Sequence, residues 1–222
     1  MKKWLRENRG FVLLLLCMGL FRSAVADWNP VPSGSMHPTI LEGDVVLVNR
    51  LAYDLKLPLS NLSLARLGEP ARGDIVTFWS PTDGKRLIKR VAALPGDTVQ
   101  MRDKRLTING RAATYTPQGE GSEQVGHSIS LRTLRLEENT GAEKHDIQWL
   151  KGTSLASNFG PITLPQDQYL MLGDNRDNSA DSRYIGLIPR PLLIGKAEDV
   201  LVSADIKGNW MPRLQRFGKS LY

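Results

Sequence analysis

From residue 43 onward the apolar positions fall into short, strand-length runs. Three Gly-Asp pairs each launch one: "GDVVLV" at 43–48, "GDIVTFW" at 73–79 and "GDTVQM" at 96–101. Glycine supplies turn dihedrals that other residues avoid, aspartate caps the turn, and the Val/Ile-rich runs that follow favour strands. Their spacing is irregular, so they punctuate the chain and do not mark a repeat. "RLIKRVAAL" at 86–94 predicts a further strand, and "LTING" at 106–110 closes a hairpin with 98–102. "YLMLGD" at 169–174 and "IGKAEDVLVSA" at 194–204 read the same way. No helical periodicity is sustained over three turns, although residues 50–67 leave room for a short helix. The pattern predicts a mainly β fold, an antiparallel sheet domain.

Residues 111–165 have another texture. "TYTPQGEGSEQVGHS" and "KGTSLASNFGP" are polar and glycine-rich, with a weak alternation at 128–136. The expected division is a basic tail and membrane anchor over 1–27 and a first part of the β core over 28–102. A small inserted β/loop cap over 103–168 follows, then the second part of the core over 169–208. The basic, aromatic tail at 209–222 is either a loose end or a segment that rests on a membrane.

The N-terminus admits two readings. "MKKWLRENRG", with Lys2, Lys3, Arg6 and Arg9 against Glu7, precedes the uncharged run "FVLLLLCMGLF". Positive charge before an apolar run holds the N-terminus in the cytoplasm and exports residues 28–222. That run rises only about 16 Å as a helix, against a hydrocarbon core of about 30 Å. With Ala24-Val25-Ala26 as a small-residue cleavage site, this reads as a removable signal peptide. Taken instead from Phe11 to Trp28, with Arg22 snorkelling and Trp28 at the interface, the segment reads as a retained anchor.

Composition narrows the classes. A chain of 222 residues with 41% hydrophobic content holds one good-sized domain, or a core with an insertion. The net charge of +6 is spread along the sequence without zinc-finger spacing or a basic helix. That argues against nucleic acid and suits anionic lipid head groups. The single cysteine, Cys17, excludes disulfides and cysteine metal sites within the chain. His37, His127 and His145 are too scattered to suggest a metal cluster, so no metal or cofactor is expected.

Two stretches could carry chemistry. "PSGSMHPTI" at 32–40 has the composition of a surface turn, yet it sets Ser33 and Ser35 around Gly34. A serine nucleophile needs a base and donors for the oxyanion. The G-x-S-x-G elbow is absent, and His37 in an extended segment shares a face with Ser35 without pointing at it. A lysine can serve as base if burial lowers its pKa toward neutrality, at about 1.4 kcal/mol for each pH unit. In the strand 86–94, alternation sets Lys89 beside the apolar Leu87 and Val91, with Arg90 facing the other way. "GDNRDNSADSRYIG" at 173–186 is the densest polar cluster. Calcium-loop spacing from Asp174 fails, because Arg176 falls at a carboxylate position and the sixth place is not glycine. The cluster is either an exposed Asx-rich turn or a support that holds another residue's amine.

"PSGSMHPT", "GDVVLV", "RGDIVTF", "KRVAALPGD" and "GDNRDNSADSRYIGLIP", in this order, resemble the sequence boxes of bacterial type I signal peptidases. Residues 103–168 match no box and correspond to the family's variable insertion. The disulfide-bearing cap of some members has no counterpart, with Cys17 alone. The resemblance implies a membrane-anchored serine endopeptidase that removes signal peptides from exported preproteins after small residues, in the pattern Ala-X-Ala. It implies a Ser–Lys dyad with Ser35 as nucleophile and Lys89 as general base, and an oxyanion hole from the Ser35 amide and the Ser33 hydroxyl. Ser179 then corresponds to a hydroxyl that hydrogen-bonds the catalytic amine, and Asp181 with Arg183 to a supporting ion pair. Substrate is expected to lie as a strand between 29–33 and 86–89, with pockets lined by Val31, Met36, Ile40, Leu87 and Ile88. Asn29 departs from the apolar or aromatic residue usual near there. The resemblance also favours a retained N-terminal helix in the bacterial inner membrane, with the catalytic domain on the periplasmic side. Rival readings are a maturation peptidase dedicated to one conjugation or pilus substrate, and an exported β-domain that only binds a partner. Self-cleaving repressors share the Ser–Lys chemistry, but this chain lacks a DNA-binding domain.

Overall fold

The computed structural model describes residues 2–125, 129–152 and 158–222. His127 lies outside them. The main body is an eight-stranded antiparallel sheet. Its strands run in the spatial order Ala26–Pro30, Asp44–Asn49, Leu193–Ser203, Ile75–Trp79, Arg86–Ala93, Gln168–Leu172 and Ile188–Pro189. The short strand Lys219–Ser220 pairs with Leu193–Ser203 beside this path.

The three Gly-Asp turns are one local device used three times. Gly43, Gly73 and Gly96 all have φ between 86° and 91°, where a side chain would be strained. The aspartate that follows each accepts from a backbone N–H three residues before it: Leu41 to Asp44 at 2.8 Å, Ala71 to Asp74 at 2.9 Å and Leu94 to Asp97 at 2.7 Å. Each turn then releases a strand. In Asp44–Asn49 the side chains alternate between buried and half-buried, while Ile75–Trp79 is buried on both faces except at Trp79. The apolar residues in and beneath the turn that carries Ser35 (Val31, Met36, Ile40, Val46, Val48) pack with Ala197, Val200 and Leu221.

Four expectations need correction. Residues 50–67 contain a single 3-10 turn, Arg50–Ala52, and a two-stranded hairpin of Asp54–Lys56 with Ser63–Arg66. Pro58 is hostile to a helix interior, and Asp54 is held by Arg190 at 2.7 Å and by Ser63 at 3.0 Å. The expected boundary at 103 cuts through a sheet. Arg105–Ile108 and Phe159–Thr163 flank Thr98–Arg102 on its two sides, sharing a core of Val99, Met101, Leu106 and Leu164. The true outlier is a three-stranded ribbon of Thr114–Val125, Ile129–Asn139 and Lys144–Leu150.

The C-terminal tail is docked, not loose. Leu221 is in the core, Arg216 pairs with Asp44, and the Ile75 N–H donates to Tyr222 Oη at 2.7 Å. At the other end, the helix Arg9–Ala24 stops short of Trp28, which belongs to the first strand opposite Leu47. Phe11 to Trp28 is therefore not one continuous segment. Arg22 does not extend outward as expected but folds back onto Asp27 at 2.7 Å and over the Trp28 ring. Among the described residues no helix is long and apolar enough to cross a membrane. None of the side chains of Arg9–Ala24 is buried.

Candidate active site

The turn that carries Ser35 is a loop closed at its base by the sheet. The Val31 N–H donates to the Asp44 carbonyl at 2.8 Å, and the Gly43 N–H donates to the Val31 carbonyl at 2.9 Å. Met36 and Ile40, both fully buried, pin the loop to the core. Ser35 is left half-buried between these anchors, beside the strand Arg86–Ala93.

Lys89 on that strand is 2% exposed. Its Nζ donates to Ser35 Oγ at 2.8 Å and to the Ile88 carbonyl at 2.8 Å. Burial pulls the amine down to about 8, against the opposing pull of the Asp181 and Asp174 carboxylates. An amine near neutrality beside a hydroxyl is able to take its proton.

The segment 173–186 closes behind the pair. The Asn175 N–H donates to the Ser35 carbonyl at 3.2 Å, and Asn175 Nδ2 donates to the Gly34 carbonyl at 2.9 Å. A Cβ on Gly173 would lie 2.5 Å from the Ser35 carbonyl oxygen and 2.2 Å from Ser179 Oγ, so only glycine permits this approach. Asp181 and Arg183 form a two-armed ion pair, with Nε–Oδ1 and Nη2–Oδ2 both 2.7 Å. Asp181 also accepts from the Gly173 N–H at 3.0 Å and from the Arg183 N–H, capping the helix Ser182–Ile185. The expected bond from Ser179 to Lys89 is not formed. Ser179 Oγ is buried without a hydrogen-bond partner among the described residues.

A cleft of about 440 Å³ opens in front of the Ser35–Lys89 pair. Residues 29–33 and 85–89 make its two walls, with Val46 and Thr77 between them. Ser33, Val31, Leu87 and Ile88 all line it. Met36 and Ile40 do not. Both are fully buried beneath the cleft, where they pack with Val46 and Val48. Asn29 has a polar partner that accounts for its departure from an apolar residue. Arg86 hydrogen-bonds Asn29 Oδ1 and reaches Asp27 at 2.9 Å, tying one wall to the other.

Several contributors were not legible as site residues. Arg90 turns away from Lys89, as alternation predicts, and forms a two-armed pair with Asp174. Glu123, from the ribbon, binds Asn175 and Asn178. Nothing in their local sequence signals these roles, because every partner is distant along the chain. No cluster of His, Cys, Asp or Glu among the described residues is arranged to hold a metal ion.

The family model described as "Signal peptidase, peptidase S26" matches residues 1–202. The chain is 35% identical over 224 residues to the signal peptidase I of Pseudomonas fluorescens, covering 95% of this chain and 77% of that protein. Its identity to the Pseudomonas aeruginosa signal peptidase I is 35% over 224 residues, at the same coverage. The signal peptidase I of Buchnera aphidicola subsp. Schizaphis graminum is 34% identical over 239 residues, covering 90% of this chain and 76% of the relative. This chain belongs to the signal peptidase family, peptidase S26, and is a serine endopeptidase.

Proposed function

We propose that this endopeptidase removes N-terminal signal peptides from exported preproteins, with Ser35 as nucleophile and Lys89 as general base. The observation that carries the reading is the 2.8 Å approach of Lys89 Nζ to Ser35 Oγ, with the amine drawn down to about 8 by burial. Neutral Lys89 takes the Ser35 proton as Oγ bonds to the scissile carbonyl carbon. The oxyanion is held by the Ser35 N–H and the Ser33 hydroxyl, each such donor worth about 3 kcal/mol. As the C–N bond breaks, the Lys89 ammonium protonates the leaving amine, and water then releases the acyl-enzyme.

Substrate enters as an extended strand between residues 29–33 and 86–89. Pairing of Gln168–Leu172 with the Lys89 strand runs from Arg90 onward, so among the described residues Arg86–Lys89 keeps a free edge on that side. Val31, Leu87 and Ile88 give the cleft apolar walls that suit small side chains, hence a preference for Ala-X-Ala. The Asp181–Arg183 pair holds the segment that packs behind Ser35.

The unburied apolar helix Arg9–Ala24 is the membrane anchor, contacting lipid; too short to cross an unperturbed bilayer, it relies on local thinning and on its basic flank reaching the head groups. The basic N-terminus stays in the cytoplasm, and the catalytic domain lies on the periplasmic side of the inner membrane. The anchor is retained, because the residues around Ala26 are tied into the sheet. Ala26 pairs with Asn49, and the Val25 carbonyl accepts from the Arg50 N–H at 2.9 Å.

The test is cleavage of a panel of exported precursors by the purified full-length protein. Wild type cuts after Ala-X-Ala, whereas Ser35→Ala and Lys89→Arg do not, since guanidinium keeps its proton. Activity in Ser35→Ala, or cleavage of one dedicated precursor alone, overturns the reading.

A further inference from the structure

The amide that must face the oxyanion belongs to the peptide unit joining Gly34 and Ser35. In a trans peptide the C=O and N–H point in opposite directions, so whatever fixes the Gly34 oxygen also aims the Ser35 N–H. The Gly34 oxygen accepts from the His37 N–H at 3.0 Å and from Asn175 Nδ2 at 2.9 Å. The other hydrogen of that Nδ2 is shared between the two carboxylate oxygens of Glu123, at 2.8 and 2.9 Å. Glu123 also accepts from Asn178 Nδ2 at 3.0 Å and from Gln148 Nε2.

A second link reaches the turn from below. His37 Nδ1 lies 3.4 Å from Glu123, and His37 Nε2 lies 3.0 Å from Glu42. The ring sits directly under Gly34, where an added Cβ would meet His37 Cε1 at 2.9 Å. The glycine and the imidazole are therefore in close approach, with a carboxylate on each side of the ring. Glu123 comes from the ribbon, whose strand Lys144–Leu150 is itself joined to the site. The Gln148 N–H donates to the Asp174 carbonyl at 2.9 Å, and the Arg176 N–H donates to the Gln148 carbonyl at 3.0 Å.

We propose that Glu123 and His37 are positioning residues that hold the Gly34–Ser35 peptide with its N–H aimed into the cleft, so that the inserted ribbon serves catalysis without touching substrate. This rests on Ser35 as the nucleophile. Burial acts against charge on the ring, but Glu123 and Glu42 overcome it and raise His37 to about 9. Burial likewise opposes the Glu123 carboxylate, which His37, Asn178 and Asn175 hold below its ordinary range. The other charges around the ring are Lys207, which pairs with Glu42, and Arg135, Asp205 and Arg213, which line the same cavity. Above pH 9 the ring loses its proton, Glu42 and Glu123 face a neutral partner, and the turn loses its lower support.

The experiment measures kcat and KM of the full-length enzyme on a peptide carrying an Ala-X-Ala site, from pH 6 to 10.5. Wild-type kcat should fall on an alkaline limb near pH 9, and that limb should vanish in His37→Gln. Glu123→Gln should lower kcat about tenfold, a fraction of the loss from deleting an oxyanion donor, with KM changed less than twofold. Glu123→Asp, which keeps the charge, should recover part of the loss. Wild-type kcat in Glu123→Gln, or an alkaline limb that persists in His37→Gln, overturns the proposal. If neither variant folds, the wild-type profile decides, and a profile without an alkaline limb near pH 9 counts against it. Loss of activity in Ser35→Ala alongside an intact Glu123→Gln sinks only this inference. Activity in Ser35→Ala sinks the nucleophile assignment itself.

Discussion

Arg90 and Asp174 form a two-armed buried ion pair, with Nε–Oδ1 at 2.9 Å and Nη2–Oδ2 at 2.7 Å. Arg90 follows Lys89, and Asp174 lies between Gly173 and Asn175, which pack behind Ser35. Thr39, from the turn that carries Ser35, donates its hydroxyl to the same carboxylate at 2.5 Å. One carboxylate thus joins all three segments of the site.

Removing one partner of such a pair leaves the other charge buried and uncompensated, at a cost of about 3–5 kcal/mol. Asp174→Ala should therefore lower unfolding stability in urea by that amount, and a loss under 1 kcal/mol would show that the pair is not structural.

The demand for a neutral base has its own signature in stability. Lys89 falls from 10.5 to about 8 on folding, so below pH 8 the folded chain carries the full cost of a buried ammonium. Between pH 8 and 10.5 the unfolded chain binds more protons, stability rises with pH, and the cost disappears. Lys89→Met should be more stable than wild type by up to about 3 kcal/mol at pH 7, with the gap closing by pH 10.5. A gap that stays constant over that range would mean the amine is not depressed.

Ser179 gives a finer test. Its hydroxyl is buried without a partner among the described residues, so Ser179→Ala removes no hydrogen bond seen there and should not lower the melting temperature. If the hydroxyl supports the amine during turnover, the variant loses less activity than Lys89→Ala. Equal losses would show that its role is misassigned.

Local signals made the sheet legible and long-range ones hid the rest. Each Gly-Asp turn closes within four residues, so its strand could be read from a handful of letters. The juxtaposition of Ser35 and Lys89 needed the box pattern, because no local rule brings together residues 54 positions apart. Met36 and Ile40 look like wall residues by their nearness to Ser35, but the loop's closure at Val31 and Gly43 turns them into the core. The tail reads as loose because Arg216 and Leu221 find Asp44 and the core only after the sheet has formed. Glu123 sits in a polar, glycine-rich stretch with the texture of a surface loop. Its partners at 37, 175 and 178 are fixed by how the ribbon folds over the turn.

The most direct test of the Ser–Lys assignment is the pH dependence of kcat/KM for precursor cleavage by wild type. If neutral Lys89 is the base, the free enzyme's activity rises with pH through an acid limb near 8, the value set by burial of the amine. A profile flat across that region, or a limb near 6.5 as an ordinary histidine would give, contradicts the account.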